Sequence, residues 1–243
     1  MKKTLVVLLA VCAMIGLCAC GGSKSEKLVM ATNAAFPPYE YVEGKEIVGI
    51  DAEIAKLIAD DLGRELIIED MAFDSIIAAV QSHKADIAMA GMTVTEDRKQ
   101  NINFSDPYTE AAQVIIVKSD SDVDEPGDLE GKRIGVQIGT TGDIYAEDIE
   151  GATIERYSKY FEAINALIQD KIDAVIVDRE PGKVFVNENP ELKMIDEEFT
   201  VEQYAIGVAK DNTELLDQIN ASLKKLQDSG KIDEIINKYI KAE

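Results

Sequence analysis

Residues 78–88 read AAVQSHKADIA, and this stretch decides the fold class. It contains the end of an apolar helix, a polar turn with a lysine, and an aspartate that opens a short buried strand. Residues 166–175, ALIQDKIDAV, repeat the same features in the same order. Any connection from a helix to a strand needs similar residues. The similarity of the two stretches therefore supports two lobes of the same kind but does not establish a gene duplication.

The segments on either side of each stretch complete a β-α-β-α-β order twice. The first series has predicted strands at 28–31, 66–68 and 86–89 and helices at 51–62 and 73–81. The second series has predicted strands at 133–137, 153–157 and 173–177 and helices at 142–148 and 161–169. Strands that alternate with helices form parallel sheets covered by helices. The sequence therefore predicts an α/β fold of two doubly wound lobes.

The remaining segments are assigned as connections and covering helices. Strands at 111–117 and 204–208 are predicted to link the lobes as a two-strand hinge. Two amphipathic helices end the chain, and Gly230 separates them as a C-cap. Their apolar residues are Leu215, Leu216, Ile219, Leu223 and Leu226, then Ile232, Ile235, Ile236, Tyr239 and Ile240. We expect lobe I at 28–110 and 208–243 and lobe II at 111–207.

The N-terminus carries the pattern of a secretory leader. Met1-Lys2-Lys3 precedes an apolar run over residues 5–17 that is too short to span a bilayer comfortably. Leu17-Cys18-Ala19-Cys20 then matches the lipobox of bacterial lipoproteins. We predict a signal peptide over 1–19, lipidation of Cys20, a tether over 20–27, and attachment to the extracytoplasmic face of the cell membrane. The alternative is an ordinary signal peptide or uncleaved anchor that contains cysteine.

The composition excludes several classes of chemistry. Cys12, Cys18 and Cys20 all lie in the leader, so the mature chain would have no disulfide, cysteine nucleophile or thiolate metal site. His83 is the single histidine, which rules out a catalytic triad or a histidine-rich metal cluster. No metal or cofactor is expected. A formal charge of −21 argues against nucleic acid as a partner.

Candidate ligand-binding residues follow the predicted strands, because ligands bind beyond the carboxyl ends of parallel strands. These segments are 32–40 (TNAAFPPYE), 90–98 (AGMTVTEDR), 139–143 (GTTGD) and 178–180 (DRE). A zwitterionic amino acid needs a guanidinium and N–H groups for its carboxylate and a carboxylate for its ammonium. Arg98, the 139–141 turn and Asp178 can supply them. The alternatives are a solvated surface arginine, a plain helix start, and a cap for a helix near Pro181.

Aromatic residues lie at the edges of the predicted lobes. Phe36, Tyr39 and Phe73 offer the flat apolar surfaces that cover a ligand side chain. Core packing is the alternative role for each of them.

Taken in order, several motifs resemble the polar amino-acid-binding proteins of ATP-driven importers (solute-binding protein family 3), which have the type II periplasmic binding protein fold. The motifs are AFPPYE (35–40), VGID (48–51), GMTVTEDR (91–98), FSDPY (104–108), KRIGVQIGTT (132–141) and DAVIVD (173–178). The resemblance runs from about residue 27 to residue 239.

This resemblance implies roles for individual residues. Phe36 and Phe73 would sandwich the ligand side chain; Ala90, Gly91 and Thr93 would contact its α-amino and carboxylate groups; Arg98, Thr140 and Thr141 would bind the carboxylate; Asp178 would hold the ammonium; Asn33 and Gln137 would read the side chain. Relatives that bind cationic side chains often have aspartate at the position of Asn33, which argues against strict lysine or arginine specificity. Glu40 and the acidic surface favour a basic ligand.

The expected function is capture of a polar or basic L-amino acid by a monomer that delivers it to an ABC permease in the membrane. Three alternatives come from other classes. They are an enzyme on the same fold that resembles cyclohexadienyl dehydratase, with Glu180 or Glu40 as acid or base; a ligand-sensing domain that acts through a separate partner; and a surface protein with a closed cleft that binds no ligand.

Overall fold

The computed structural model describes residues 26–195 and 197–240, so the predicted leader and Cys20 lie outside the described residues. In chain order the strands are β1 (Lys27–Thr32), β2 (Ala35–Phe36), β3 (Glu40–Glu43), β4 (Glu46–Val48), β5 (Glu65–Asp70), β6 (Ile87–Ala88), β7 (Ile102–Phe104), β8 (Thr109–Lys118), β9 (Arg133–Gln137), β10 (Thr153–Tyr157), β11 (Ala174–Asp178), β12 (Leu192–Met194), β13 (Thr200–Tyr204) and β14 (Gly207–Ala209).

The helices, again in chain order, are α1 (Ile50–Asp61), α2 (Ile76–Gln81), α3 (Glu96–Asn101), α4 (Thr141–Ala146), α5 (Tyr160–Ile168), α6 (Arg179–Glu188), α7 (Thr213–Asp228) and α8 (Lys231–Tyr239). Single 3-10 turns lie at Phe73–Ser75 and Pro126–Leu129. Gly230 separates α7 from α8 with a left-handed backbone at φ 71°, as its predicted role as a C-cap requires. No described helix is long and apolar enough to cross a membrane.

Two separate sheets form the two lobes. The first has the order β5-β1-β6-β14-β7, with β1 parallel to β5 and β6 and with β14 antiparallel to β6 and β7. The second has the order β10-β9-β11-β8-β12, and β13 also pairs with β8. In it β9 runs parallel to β10 and β11, while β8 is antiparallel to its neighbours. The predicted α/β fold of two lobes is confirmed.

The first crossing between the lobes lies after β7 and not in β8. The prediction that residues 111–117 link the lobes is wrong, because they lie within β8 and pair there with β11, β12 and β13. Residues Ala112 to Val117 are buried without interruption, as a central strand between two covered faces requires. The apolar run that suggested a link marks the middle of the second sheet.

The second crossing lies between β13 and β14, inside the predicted link at 204–208. The two crossings are hydrogen-bonded to each other: the Tyr108 N–H donates to the Tyr204 carbonyl at 3.0 Å, and the Ser105 N–H donates to the Ile206 carbonyl at 2.9 Å. Lobe boundaries at 110/111 and 207/208 stay predictions. The C-terminal helices α7 and α8 pack on α1 and so cover the first lobe.

A small antiparallel sheet of β2, β3 and β4 precedes α1, in a segment for which no strand was predicted. Its position depends on Gly49, the N-cap of α1, which has φ 125°. A Cβ atom at Gly49 would lie 2.2 Å from the Tyr39 carbonyl oxygen, so a larger residue cannot fit there. The Asp51 N–H donates to the same Tyr39 carbonyl at 2.9 Å, so the start of α1 lies directly beside Glu40 at the start of β3.

Candidate functional site

A narrow cavity lies between the two lobes, with about 300 Å³ of space that no atom fills, part of it open to solvent. It is lined by Asn33, Phe36, Glu40, Phe73, Ala90, Gly91, Thr93, Arg98, Gln137, Thr140, Thr141, Tyr160 and Asp178. Every residue to which the family resemblance assigns a ligand contact is in this set. The structure therefore brings all of them together, while their contact with a ligand stays a prediction. Tyr39, the third aromatic candidate, is not in this set: it is buried against Phe36 and Tyr204, so its alternative role in core packing is the one the structure shows.

The cavity lies where the strand ends of both sheets converge. Asn33 follows β1, Gln137 ends β9 and Asp178 ends β11. The segment from Ala90 to Thr93 follows β6. This is the arrangement that parallel strands impose on loops at their carboxyl ends.

Arg98 lies on α3 and is buried, with 6% of its surface exposed. Its Nη1 donates to the Thr93 carbonyl at 2.8 Å and its Nη2 donates to the Gly139 carbonyl at 3.0 Å. The guanidinium carbon lies 5.4 Å from the centre of the Phe73 ring. Burial lowers the pKa of Arg98, and the charges of Glu202 and Asp178 oppose that shift. The alternative of a solvated surface arginine is therefore wrong. A guanidinium fixed in this way can bind the carboxylate of a ligand.

Asp178 is buried at the end of β11, and its carboxylate accepts a hydrogen bond from the Tyr204 hydroxyl. Asp178 occupies the N-cap position of α6, but its side chain makes no capping hydrogen bond there, so capping does not account for the carboxylate. Burial, followed by the charge of Glu202, raises the pKa of Asp178 to about 7. A cation next to this carboxylate would restore its ionised form.

The turn after β9 is held by its own side chains. The Thr140 hydroxyl donates to the Gln137 carbonyl at 2.8 Å and accepts from the Asp143 N–H at 3.3 Å, which caps α4. The Gln137 Nε2 donates to the Asn33 Oδ1 across the cavity at 3.0 Å. The second lobe therefore touches the first inside the cavity.

Phe36 stacks on Tyr160 of the opposite lobe, with ring centres 5.8 Å apart and an angle of 26° between the planes. Tyr160 is buried, and its hydroxyl lies 3.3 Å from the Thr140 hydroxyl. Gly91 allows the Phe36 ring to approach, since a Cβ there would lie 2.7 Å from Phe36 Cε1. Tyr160 was not predicted as a site residue, because the helix was expected to begin at Phe161 and in fact begins at Tyr160. Its position soon after β10 is the signal that would have identified it.

Glu40 and Asp51 form a pair of buried carboxyl groups beside the cavity, and both are 0% exposed. Asp51 Oδ2 accepts from the Gly91 N–H at 2.9 Å, and its Oδ1 accepts from the Tyr108 hydroxyl at 2.8 Å. Among the described residues, no N–H donor reaches either carboxyl oxygen of Glu40. Burial, then repulsion from Asp51 and a hydrogen bond with it, raises the pKa of Glu40 well above its ordinary value.

Glu202 on β13 is a second buried carboxylate that the sequence analysis missed. It accepts from the Thr93 hydroxyl at 2.8 Å and from the Gln113 Nε2 at 3.1 Å through the same oxygen, Oε2. Its neighbour Val201 is 65% exposed, so the strand turns an apolar residue outward and a charged one inward. Glu202 anchors Thr93 from the opposite lobe.

His83 is exposed and does not line the cavity. It occupies the turn between α2 and β6, where its Nε2 lies 3.3 Å from an Asp211 carboxyl oxygen on the surface.

Residues 28–242 match the model of the bacterial extracellular solute-binding proteins, family 3. The arginine-binding extracellular protein ArtP of Bacillus subtilis is 33% identical over 254 residues, which span 100% of both chains.

Two solved structures are similar along most of the chain. An ancestral arginine-binding protein bound to arginine has 38% identity and a TM-score of 0.85, covering 89% of this chain and 99% of its own. The arginine-, lysine-, histidine-binding protein ArtJ of Geobacillus stearothermophilus has 37% identity and a TM-score of 0.85, covering 90% of this chain and 96% of its own. By their names, these relatives are binding proteins and not enzymes.

Proposed function

Since the chain belongs to the bacterial extracellular solute-binding proteins of family 3, we propose that it captures a basic L-amino acid between its lobes and delivers it to an ABC-type importer. Arginine is the first candidate, because it is named for relatives that match along most of the chain. The broader expectation of a polar or basic ligand is thereby narrowed.

The observation that carries this choice is the Glu40 carboxyl group. It lines the cavity, it is fully buried, and no described N–H donor reaches it. A buried carboxylate is costly unless it is paired. A cationic side chain that ends at Glu40 would supply the missing partner, whereas a neutral apolar side chain would not.

Groups for the rest of an amino acid lie in the same cavity. Arg98 presents a guanidinium to a carboxylate, and Asp178 presents a carboxylate to an ammonium. The cavity also contains the aromatic ring of Phe36 for the aliphatic part of a side chain. The roles proposed here for Arg98, Asp178 and Phe36 are the ones expected from the sequence.

Closure of the lobes would signal that the site is filled. Contacts such as Gln137 to Asn33 and Arg98 to Gly139 join the lobes only when they are together. A ligand that contacts both lobes favours this closed form, which a permease can distinguish from an open one.

We also propose that Cys20 is lipidated and holds the protein on the outer face of the cell membrane. The Leu17-Cys18-Ala19-Cys20 pattern supports this. Mass spectrometry of the N-terminal peptide from membrane extracts would show an acylated Cys20. An unmodified N-terminus, or an equal membrane fraction for Cys20→Ala, would contradict the proposal.

The test of the binding function is thermal unfolding of the soluble form, residues 24–243, with each L-amino acid after refolding to remove carried-over ligand. A ligand at 1,000 times its Kd adds about 4 kcal/mol of stability. We expect arginine to raise the Tm by several degrees. Arg98→Lys should abolish the shift, because lysine cannot replace the fork of the guanidinium.

A matched control is Lys45→Ala, which removes an exposed cation in the turn between β3 and β4 and should leave the shift intact. The absence of a shift with every amino acid would contradict the proposal. Recovery of the ligand unchanged after long incubation would separate binding from the enzyme alternative.

A further inference from the structure

We propose that Glu40 and Asp51 together bind one proton and exchange it for the cationic end of a ligand side chain. The inference rests on the proposed function, and it adds a chemical step to it. Binding of a basic amino acid would then release a proton to solvent, while binding of a neutral amino acid of the same shape would not.

The geometry of the pair places both groups out of water. Both carboxyl groups are 0% exposed, and Glu40 lines the ligand cavity while Asp51 lies behind it. Asp51 receives N–H and O–H donors from Gly91 and Tyr108, at 2.9 and 2.8 Å. Glu40 receives no N–H donor from the described residues. The two members of the pair therefore differ in how well their negative charge is supported.

Two adjacent buried carboxylates cannot both keep their charge at low cost. A hydrogen bond between two carboxyl groups requires a proton, and the better-supported Asp51 is the group that stays ionised. Glu40 is then the acid that donates to Asp51. The pKa directions agree with this order: burial raises the pKa of Asp51 only to about 6, because donors from Gly91, Tyr108 and Glu40 oppose it, while the pKa of Glu40 rises well above its ordinary value.

The groups that face Glu40 from other elements do not supply a positive charge in its place. Asp178 at the end of β11 and Asp70 at the end of β5 both raise the pKa of Glu40 through repulsion. The phenols of Tyr39 and Tyr108, near the same carboxyl pair, also have raised pKa values because of their burial. Arg98 lines the same cavity, where its guanidinium is bonded to the Thr93 and Gly139 carbonyls.

The exchange balances in charge and in protons. The Glu40 carboxylic acid loses its proton to solvent, and the carboxylate that remains pairs with a guanidinium or ammonium group of the ligand. The net charge of Glu40, Asp51 and the ligand side chain in the site is the same before and after binding, because the ligand cation replaces the proton. Binding therefore adds no unpaired buried charge. A neutral side chain leaves the proton in place and gains no ion pair, which gives the site its preference for cations.

The experiment is calorimetric titration of residues 24–243 with arginine and with citrulline, whose neutral ureido group has the shape of the guanidinium. Titrations in buffers of different ionisation enthalpy measure the number of protons released. Both ligands have the same α-amino and carboxylate groups, so any proton from Asp178 cancels in the difference. We expect arginine to release up to one proton more than citrulline, and its relative affinity to rise up to tenfold per pH unit.

Equal proton release by the two ligands would overturn the proposal. Infrared difference spectra at about pH 8, where Asp178 is mostly ionised before the ligand binds, supply a readout that does not depend on citrulline binding. The carboxylic acid C=O band of Glu40 should disappear when arginine binds to the wild type. In Glu40→Gln no such band should be lost, and the preference for arginine over citrulline should fall. Persistence of the band in arginine-bound wild type would also overturn it.

A second variant keeps the Glu40 carboxyl group but removes the reason for it to hold a proton. In Asp51→Asn the amide can donate to Glu40, so the proton is no longer needed and its release should fall while arginine still binds. Failure of the proposed function gives a different result, because arginine would then produce no binding heat at all. If arginine produces binding heat but releases no more protons than citrulline, the proposed binding function is supported and the proton exchange is contradicted.

Discussion

The Gln137 side-chain amide donates to the Oδ1 oxygen of Asn33 at 3.0 Å, so the two lobes meet inside the cavity. The Asn33 amide in turn donates to the Met71 carbonyl at 2.7 Å. Asn33 thus has both its acceptor and its donor engaged. Its replacement by aspartate would change the charge of the cavity while keeping the contact between lobes.

Asn33→Asp should shift the ligand preference toward cations. The carboxylate still accepts from Gln137, but it adds a negative charge near the ligand side chain. We expect the ratio of the glutamine Kd to the arginine Kd to rise about tenfold, or about 1.4 kcal/mol. The lost bond to Met71 should lower stability by about 1–2 kcal/mol.

Isothermal titration with both ligands measures this ratio. Asn103→Asp is the matched control, because Asn103 also donates to a carbonyl, that of Lys210 at 3.2 Å, but on the exposed surface. It should not change the ratio. An unchanged ratio in Asn33→Asp would show that residue 33 does not face the ligand side chain.

Asp178→Asn should stabilise the protein without ligand at neutral and alkaline pH. The pKa of Asp178 is raised to about 7, so the folded protein keeps a proton that the unfolded chain releases near pH 4. The wild type therefore loses stability as pH rises from about 4 to about 7. The variant avoids this loss, which is about 1.4 kcal/mol per unit of pKa shift, and should lose amino-acid binding.

Denaturant unfolding at pH 4, 6 and 8 measures the difference between the two proteins. It should grow with pH and level off above about 7. Asp173→Asn serves as the control of opposite sign, since pairing with Arg133 lowers the pKa of Asp173. That variant should be less stable than the wild type at neutral pH. A pH-independent difference for Asp178→Asn would contradict the expected ionisation.

Tyr160→Phe and Tyr160→Ala should have different effects on affinity. Phenylalanine keeps the stacking on Phe36 and loses the hydroxyl near Thr140, so we expect a change of about 1 kcal/mol or less. Alanine leaves a cavity and removes the stacking, which should lower stability by about 3–5 kcal/mol and affinity at least tenfold. Calorimetry and denaturant unfolding of both variants measure these values. Equal affinity for the two variants would show that the stacking does not position Phe36.

Gly49→Ala should destabilise the first lobe severely. Its Cβ would lie 2.2 Å from the Tyr39 carbonyl oxygen, and φ is 125°. We expect a loss of several kcal/mol, because backbone atoms must move. Gly44→Ala is the matched control, since Gly44 also has a positive φ, 64°, but has no neighbour within 4 Å among the described residues. Gly44→Ala should lower the free energy of unfolding by about 1 kcal/mol. Denaturant unfolding measures both variants, and equal losses of stability would mean that the close approach at Gly49 is unimportant.

The order of helices and strands could be predicted from the sequence because it depends on local periodicity. Strand β10 was predicted with the bounds that it has, and the helices α1, α4 and α5 begin one residue earlier than predicted. Strands β2 to β4 were missed because two to four residues are too few to show alternation. The first crossing was misplaced because an apolar run indicates burial but does not indicate which sheet buries it.

The sequence by itself also determined most of the residues that line the cavity, although not Tyr160. The rule that loops meet at the carboxyl ends of parallel strands applies to each strand separately, so it identified Asn33, Arg98 and Asp178 without knowledge of their partners. The tertiary structure alone decided the partners: Glu40 against Asp51, Phe36 against Tyr160, and Glu202 inward beside the exposed Val201. Each of these relationships is set by how separate elements pack, and no local pattern encodes packing between distant parts of the chain.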